Sequence, residues 1–181
     1  MRGLHLPARV AGDRRGVALV EFALVLPVML LLYLGGVQLQ DAMACNRKVS
    51  IATRSVADLI GQNQSGTMTA AEIQDSLNAA TQVLVPFSAD PASMRISAIA
   101  TDEHGQTVVQ WSRGLHMAPY ARGQKVTVAA RTILPGTYVL LSEVSYAYSP
   151  SSLFGSIGPM RISDQLFMVP RNTDKIDCSD C

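Results

Sequence analysis

The stretch that decides the architecture lies near the start of the chain, where residues 14–37 read RRGVALVEFALVLPVMLLLYLGGV. From Val17 to Val37 it contains 21 residues and one formal charge, at Glu21. An α-helix rises about 1.5 Å per residue, so this stretch spans about 31 Å, close to the roughly 30 Å hydrocarbon core of a bilayer. The sequence therefore predicts one transmembrane helix.

The charge around this helix predicts its orientation. Residues 1–16 hold four arginines and one aspartate, a net charge of +3, so the other 165 residues carry −2 of the total of +1. Basic flanks stay on the cytoplasmic side, so we expect residues 1–15 in the cytoplasm and the chain after about residue 40 outside. The near-neutral total gives no footprint for nucleic acid. With 48% hydrophobic residues in 181, the chain is also too apolar to be disordered.

Three features inside the apolar run are unusual for a plain anchor. Glu21 lies about one turn inside it, where a carboxylate is costly and points to a partner. Pro27 removes a backbone hydrogen bond and predicts a helix kink. Gly35-Gly36 permits close helix packing, or else a break into two helices.

An amphipathic pattern follows the apolar run and favours continuation of the same helix. Apolar residues recur at spacings of three and four, the period of one helical face. The members are Ala42, Cys45, Val49, Ala52, Val56 and Leu59. Gly61 then supplies a C-terminal stop. We expect one helix over residues 17–60, with a break near Gly35-Gly36 as the alternative.

The segment from Arg14 to Phe22 resembles a type IV prepilin leader. Basic residues and Gly16 precede an apolar helix with Glu21 at its fifth position and an aromatic residue after it. The resemblance implies that a membrane-embedded prepilin peptidase cleaves residues 1–16 after Gly16 and often methylates Val17. It also implies that Glu21 and Phe22 act in assembly, with Glu21 pairing to the freed amine of a neighbouring subunit, an attraction that a low dielectric strengthens.

A more specific resemblance covers residues 14–39 and the following NRKVSIATRSVADLIGQ at residues 46–62. Both are similar to the TadE-like pseudopilins of tight-adherence (Tad/Flp) pilus systems, and residues 143–171 resemble the closing strands of that family more loosely. The resemblance implies a minor pseudopilin for pilus assembly, adherence and biofilm. It would be anchored in the inner membrane with its C-terminal domain in the periplasm, at the pilus tip or base. Its partners would be the prepilin peptidase, other pilins and pseudopilins, and the inner-membrane pilus platform.

Other interpretations stay open beside this one. A minor pseudopilin of a type II secretion system would have the same leader, and an uncleaved membrane-anchored periplasmic module would need no leader processing. Ala42-Met43-Ala44 before Cys45 fits a signal-peptidase site, but the apolar run exceeds the 7–15 residues of a signal peptide and cleavage would interrupt the apolar stripe.

The rest of the chain divides into three predicted segments. Residues 61–68 form a polar linker, residues 69–170 a small extracytoplasmic α+β domain, and residues 171–181 a tail. Thr69-Ala70-Ala71-Glu72 is a capping box that opens a helix of about 15 residues. Its apolar face comprises Ile73, Leu77, Ala80 and Leu84. Alternating patterns predict strands over residues 94–100, 106–111, 126–133, 137–148 and 160–169. One helix on an antiparallel sheet of four or five strands is the simplest packing.

This outer domain carries no recognisable catalytic pattern. His104 and His116 have no partner at metal-ligand spacing, so we expect no enzyme, metal or cofactor. The aromatic residues are expected mainly in the sheet core. Cys178 and Cys181 form a terminal C-x-x-C, which we interpret as a disulfide in an oxidising periplasm, with Cys45 as the other candidate partner.

Overall fold

A computed structural model describes residues 14–103, 105–126, 135–150 and 159–181. The chain divides into two compact units, Met1–Asp41 and Ala42–Cys181. In chain order the elements are α1 (Arg14–Gly61), β1 (Thr67–Met68), α2 (Ala70–Thr81), β2 (Ala92–Thr101), β3 (Thr107–Leu115), β4 (Tyr138–Tyr148), β5 (Met160–Met168) and β6 (Asp177–Cys178). The predicted α+β class, a long N-terminal helix followed by a helix and an antiparallel sheet, is confirmed.

α1 is a helix of 48 residues and is continuous through Gly35 and Gly36, so the alternative of two separate helices is wrong. Pro27 lies inside it, and the kink stays a prediction. The helix persists because apolar residues with good helical propensity fill its first part, and tertiary packing supports its second part.

The predicted capping box forms at the start of α2. The Thr69 Oγ1 accepts from the Glu72 backbone N–H at 3.3 Å, and the Glu72 Oε2 accepts from the Thr69 backbone N–H at 2.8 Å. The Thr69 hydroxyl also donates to the Glu72 Oε2 at 3.0 Å, and the hydrogen bonds that this carboxylate accepts from the backbone and side chain of Thr69 lower the pKa of Glu72. The helix has 12 residues and a 3-10 turn then runs over Gln82–Leu84. All four residues of the predicted apolar face are buried.

Four antiparallel strands form the main sheet in the order β3-β2-β4-β5. The predicted hairpin is β2–β3; at its turn Gly105 has a φ of +77° and its N–H donates to the Asp102 carbonyl at 3.1 Å. Of the predicted strand at residues 126–133, Val126 is outside any strand and residues 127–133 lie outside the described residues. His104 and most of the predicted loop between β4 and β5, residues 151–158, also lie outside them.

The sheet buries apolar side chains on both faces. One face packs against α2 and the second part of α1, and Met94, Ile96, Leu140, Val144 and Tyr146 contribute to this main core. The opposite face carries a smaller cluster of Ile99, Val109, Val139 and Leu141. The central strands β2 and β4 therefore contain runs of consecutive buried residues instead of a strict alternation.

Two short strands were not predicted from the sequence. β1 and β6 pair in parallel, with Thr67 opposite Asp177 and Met68 opposite Cys178. The segment predicted as a polar linker and the segment predicted as a tail thus meet in a second, two-stranded sheet.

Candidate assembly interface

The first part of α1 is an apolar cylinder without a protein partner among the described residues. An apolar stretch of 18 residues in this helix has a mean hydropathy of 2.5, and none of these residues is buried. The large apolar side chains from Val17 to Leu39 that are exposed include Leu19, Phe22, Leu24, Leu31 and Leu32. By length and composition this is the one helix of the described residues able to cross a bilayer.

The predicted processing and assembly residues all lie at the beginning of this helix. Gly16 is exposed, and a Cβ placed on it would meet no other atom within 4 Å. Val17 and Glu21 are one turn apart, so they share a helix face, while Phe22 is 64% exposed. Glu21 is exposed too and contacts no side-chain partner among the described residues.

The second part of α1 has the opposite character on one face. Cys45, Val49, Ala52 and Val56 are completely buried and belong to the main core of residues 42–181. Arg47 and Arg54, at positions off this stripe, are exposed, as the periodicity predicts. The amphipathic half is therefore part of the folded unit Ala42–Cys181, to which the name outer domain refers from here on, as well as the continuation of α1.

The prediction that the buried stripe ends with Leu59 is wrong. Leu59 is 45% exposed, whereas Ile60 is fully buried. A step of three from Val56 led to Leu59, but the contact continues with a step of four, and both steps are compatible with one helical face. Ala57 and Thr53 are also buried, because the stripe widens where α1 approaches the sheet. A Cβ placed on Gly61 would lie 3.4 Å from the Met168 Sδ, which shows how close this end of α1 comes to β5.

The segment after β5 fastens the end of α1, and we call residues 169–181 the C-terminal strap. The Arg171 backbone N–H donates to the Gly61 carbonyl at 2.9 Å, and its guanidinium lies 2.6 Å from the Asp58 Oδ1. The Asn172 side chain donates to the Gln62 carbonyl at 2.8 Å. The bond to Gly61 occupies a carbonyl group that the end of α1 leaves without an intrahelical partner.

Ile176 anchors the middle of the C-terminal strap. Its side chain is fully buried, and its carbonyl accepts hydrogen bonds from the Trp111 indole N–H at 2.6 Å and from the Tyr138 hydroxyl. Burial raises the pKa of Tyr138 to about 12, against a smaller opposing effect of its hydrogen bond to Ile176. As expected, Trp111, Tyr146 and Tyr148 lie in the core.

The far end of the C-terminal strap contacts the start of α2. Cys178 and Cys181 are joined in a disulfide, and Cys45 is a free, buried thiol. The Asp180 Oδ1 accepts from the Ala70 backbone N–H at 2.8 Å and lies 3.4 Å from the Cys178 Sγ. A carboxylate at this position satisfies one of the free N–H groups of the helix and complements its dipole.

Elsewhere the polar clusters of the outer domain serve packing. The Arg95 guanidinium makes two hydrogen bonds to Glu143, at 2.8 and 2.9 Å, and a third to the Ala118 carbonyl. It also stacks over Tyr120 at 3.5 Å from the ring centroid. Burial raises the pKa of Tyr120. This network holds the segment after β3 over the second face of the sheet.

The histidine and cysteine positions offer no metal centre among the described residues. The His116 Nδ1 lies 3.0 Å from the Ala92 carbonyl, a satisfied position in a turn. Cys178, Asp180 and Cys181 bring three potential ligand atoms together, but the disulfide takes both sulfurs. His104, and His5 in the leader, lie outside the described residues.

A single exposed apolar helix followed by a small α+β domain fits a single-pass membrane anchor. Within that class, residues 16–58 match the model of the family described as TadE-like protein, in agreement with the resemblance found from the sequence. The match covers the apolar part of α1 and the buried stripe as far as Asp58.

No curated protein matches this chain. No solved structure matches it either.

Proposed function

We propose that this chain is a minor pseudopilin required for assembly of a Tad/Flp pilus, and that it is not an enzyme. The observation that carries the proposal is the two-part α1: an exposed apolar half that begins with Gly16, Val17 and Glu21, and a buried half that supports a folded domain. The 120 residues after Gly61 favour an accessory role in initiating or adapting the pilus over the role of fibre subunit.

Processing after Gly16 is the first step of the proposed mechanism. The basic leader would stay in the cytoplasm, and the outer domain would fold in the periplasm. Because glycine has no side chain, the backbone at Gly16 can enter a tight peptidase site. Cleavage would free the amine of Val17 at the membrane.

Assembly through Glu21 is the second step. A carboxylate exposed on an apolar helix is costly in lipid unless it finds a partner. The freed amine of Val17 in a neighbouring subunit provides the opposite charge, and the low dielectric strengthens their attraction. Phe22 adds apolar contact beside it. The ion pair would set the axial position of one α1 against the next.

The test of processing is the N-terminal residue and intact mass of the protein purified from membranes, with and without its prepilin peptidase. We expect a chain that begins at Val17 only when the peptidase is present. Gly16→Leu should block cleavage, and the matched change Gly35→Leu, in the same helix, should not. An intact chain under both conditions would contradict the proposal and favour the uncleaved membrane-anchored module.

The test of assembly is Glu21→Ala, which should still insert and fold but should abolish piliation. The same substitution at Glu103, in a turn of the outer domain, is the control and should leave piliation normal. Normal piliation in Glu21→Ala would exclude the proposed ion pair. If Glu21→Ala abolished type II secretion but left Tad pili normal, the protein would be a pseudopilin of the secretion system instead.

A further inference from the structure

We propose that the loop closed by Cys178 and Cys181 is a thiol–disulfide exchange site, separate from the proposed role of α1. Its substrate would be the thiolate of a small thiol or of a protein. Cys181 would be the sulfur that is attacked, and Cys178 the resolving thiol. The two cysteines differ in accessibility, a carboxylate lies beside Cys178, and the backbone holds Cys178 in place.

The two cysteines differ in exposure. Cys178 is only 6% exposed, because it lies in β6 opposite Met68 and belongs to the main core. Cys181 is exposed. An attacking thiolate must reach one sulfur from the side opposite the other, so access decides which sulfur reacts. The Cys181 Sγ is the open one.

The exchange balances without a further redox reagent. The incoming thiolate forms a bond to the Cys181 Sγ, and the Cys178–Cys181 bond breaks with its electron pair on the Cys178 Sγ. The product is a mixed disulfide at Cys181 and a thiolate at Cys178, which takes a proton from water. Attack by Cys178 on the mixed disulfide reverses the step and releases the thiol.

Asp180 disfavours the charged form of the resolving thiol. Its Oδ1 lies 3.4 Å from the Cys178 Sγ while it accepts from the Ala70 N–H at 2.8 Å. A carboxylate at this distance makes Cys178 a poor leaving group, so the disulfide exchanges slowly. The carboxylate also occupies the N-terminus of α2, which could otherwise stabilise a thiolate.

The backbone keeps Cys178 in place after the bond opens. β6 remains paired with β1, the Asp177 N–H donates to the Gly66 carbonyl at 2.9 Å, and Ile176 stays anchored by Trp111. The C-terminal strap therefore remains docked, and the loop offers a covalent attachment point at Cys181.

The test uses the full chain in detergent, first oxidised and then exposed briefly to limiting reduced glutathione. After an acid quench, peptide mass spectrometry locates the added glutathione. We expect it on Cys181, with Cys178 recovered as a free thiol. Glutathione on Cys178 would overturn the proposal.

A parallel reaction distinguishes the source of the thiol. A thioredoxin whose resolving cysteine is replaced by serine should be trapped on Cys181 if protein thiols can reach the loop. Reaction with glutathione alone would support a small thiol as the substrate. Failure of both reactions would overturn the site.

The variant Asp180→Asn tests the role of the carboxylate. Asparagine keeps an oxygen that can accept from the Ala70 N–H but removes the charge, so exchange should become about three- to tenfold faster at the same sulfur. Asp174→Asn, an exposed change in the same strap, is the matched control and should not alter the rate. An unchanged rate in Asp180→Asn, or equal acceleration in both variants, would contradict this role.

Discussion

The two halves of α1 share one backbone but differ in what surrounds them. In the first half Leu31 is 65% and Leu32 70% exposed, whereas in the second half Val49 and Ile60 are completely buried against the sheet. The first half is apolar on all sides and the second on one side only. The distribution of apolar residues around a helix, more than its total hydropathy, therefore indicates whether its partner is lipid or protein.

The largest expected difference between the halves comes from introducing a charge. Val49→Asp places an unpaired carboxylate in the core and should lower the free energy of unfolding of the outer domain by about 3–5 kcal/mol. Trp111, the single tryptophan and a core residue, reports this unfolding by fluorescence in a denaturant titration.

The matched change Leu31→Asp should leave that titration unchanged. It should instead weaken membrane integration by about 2.5–3.5 kcal/mol, the cost of an aspartate near the centre of a spanning helix. Extraction of membranes with alkaline carbonate measures the loss. Equal effects of both variants on Trp111 fluorescence would break the distinction between the halves.

A smaller effect is expected from shortening one side chain in each half. Ile60→Ala leaves a cavity between α1 and the sheet and should cost about 3 kcal/mol of unfolding free energy. Leu32→Ala should change it by less than about 0.5 kcal/mol, since its side chain is 70% exposed. If Ile60→Ala were as mild as Leu32→Ala, the buried stripe would have to end at Val56.

The smallest effect concerns the C-terminal strap that closes the second half. Tyr138→Phe removes one hydrogen bond to the Ile176 carbonyl, which keeps the bond from Trp111, and should cost about 1 kcal/mol at pH 7. Tyr33→Phe in the first half is the control and should cost nothing measurable.

The free energy of unfolding should also depend on pH in a way that Tyr138→Phe changes. The folded pKa of Tyr138 is raised to about 12, above its ordinary value of 10, because burial disfavours the phenolate. The unfolded chain therefore loses this proton first, and native stability falls as the pH rises from about 10 towards 12. Denaturation across this range should show a shallower decline in Tyr138→Phe. An identical decline in the wild type and the variant would contradict the raised pKa.

Much of this fold could be predicted because its signals are local. The capping box at Thr69, the alternation of Val144, Tyr146 and Tyr148 at the end of β4, and the apolar length of α1 each follow from neighbouring residues. The pairing of β1 with β6 could not be predicted, since two residues in each strand give no period and the partners are more than 100 positions apart. The role of Asp180 at the N-terminus of α2 was missed for the same reason.

The processing and assembly site stays a prediction from the sequence. Gly16, Val17 and Glu21 stand out because a glycine and a carboxylate interrupt an otherwise apolar pattern. The buried stripe ends at Ile60 and not at the predicted Leu59, which shows the limit of periodicity. Steps of three and four residues are equally helical, and only the position of the sheet decides between them.

The C-terminal strap also sets the order of events during synthesis. It closes the end of α1, the loop before α2 and the start of α2, yet it is translated after all of them. The outer domain therefore cannot complete its core until the chain through Cys178 has emerged, long after the apolar half of α1 has reached the membrane. Anchoring comes first, and the domain is locked only when its last strand arrives.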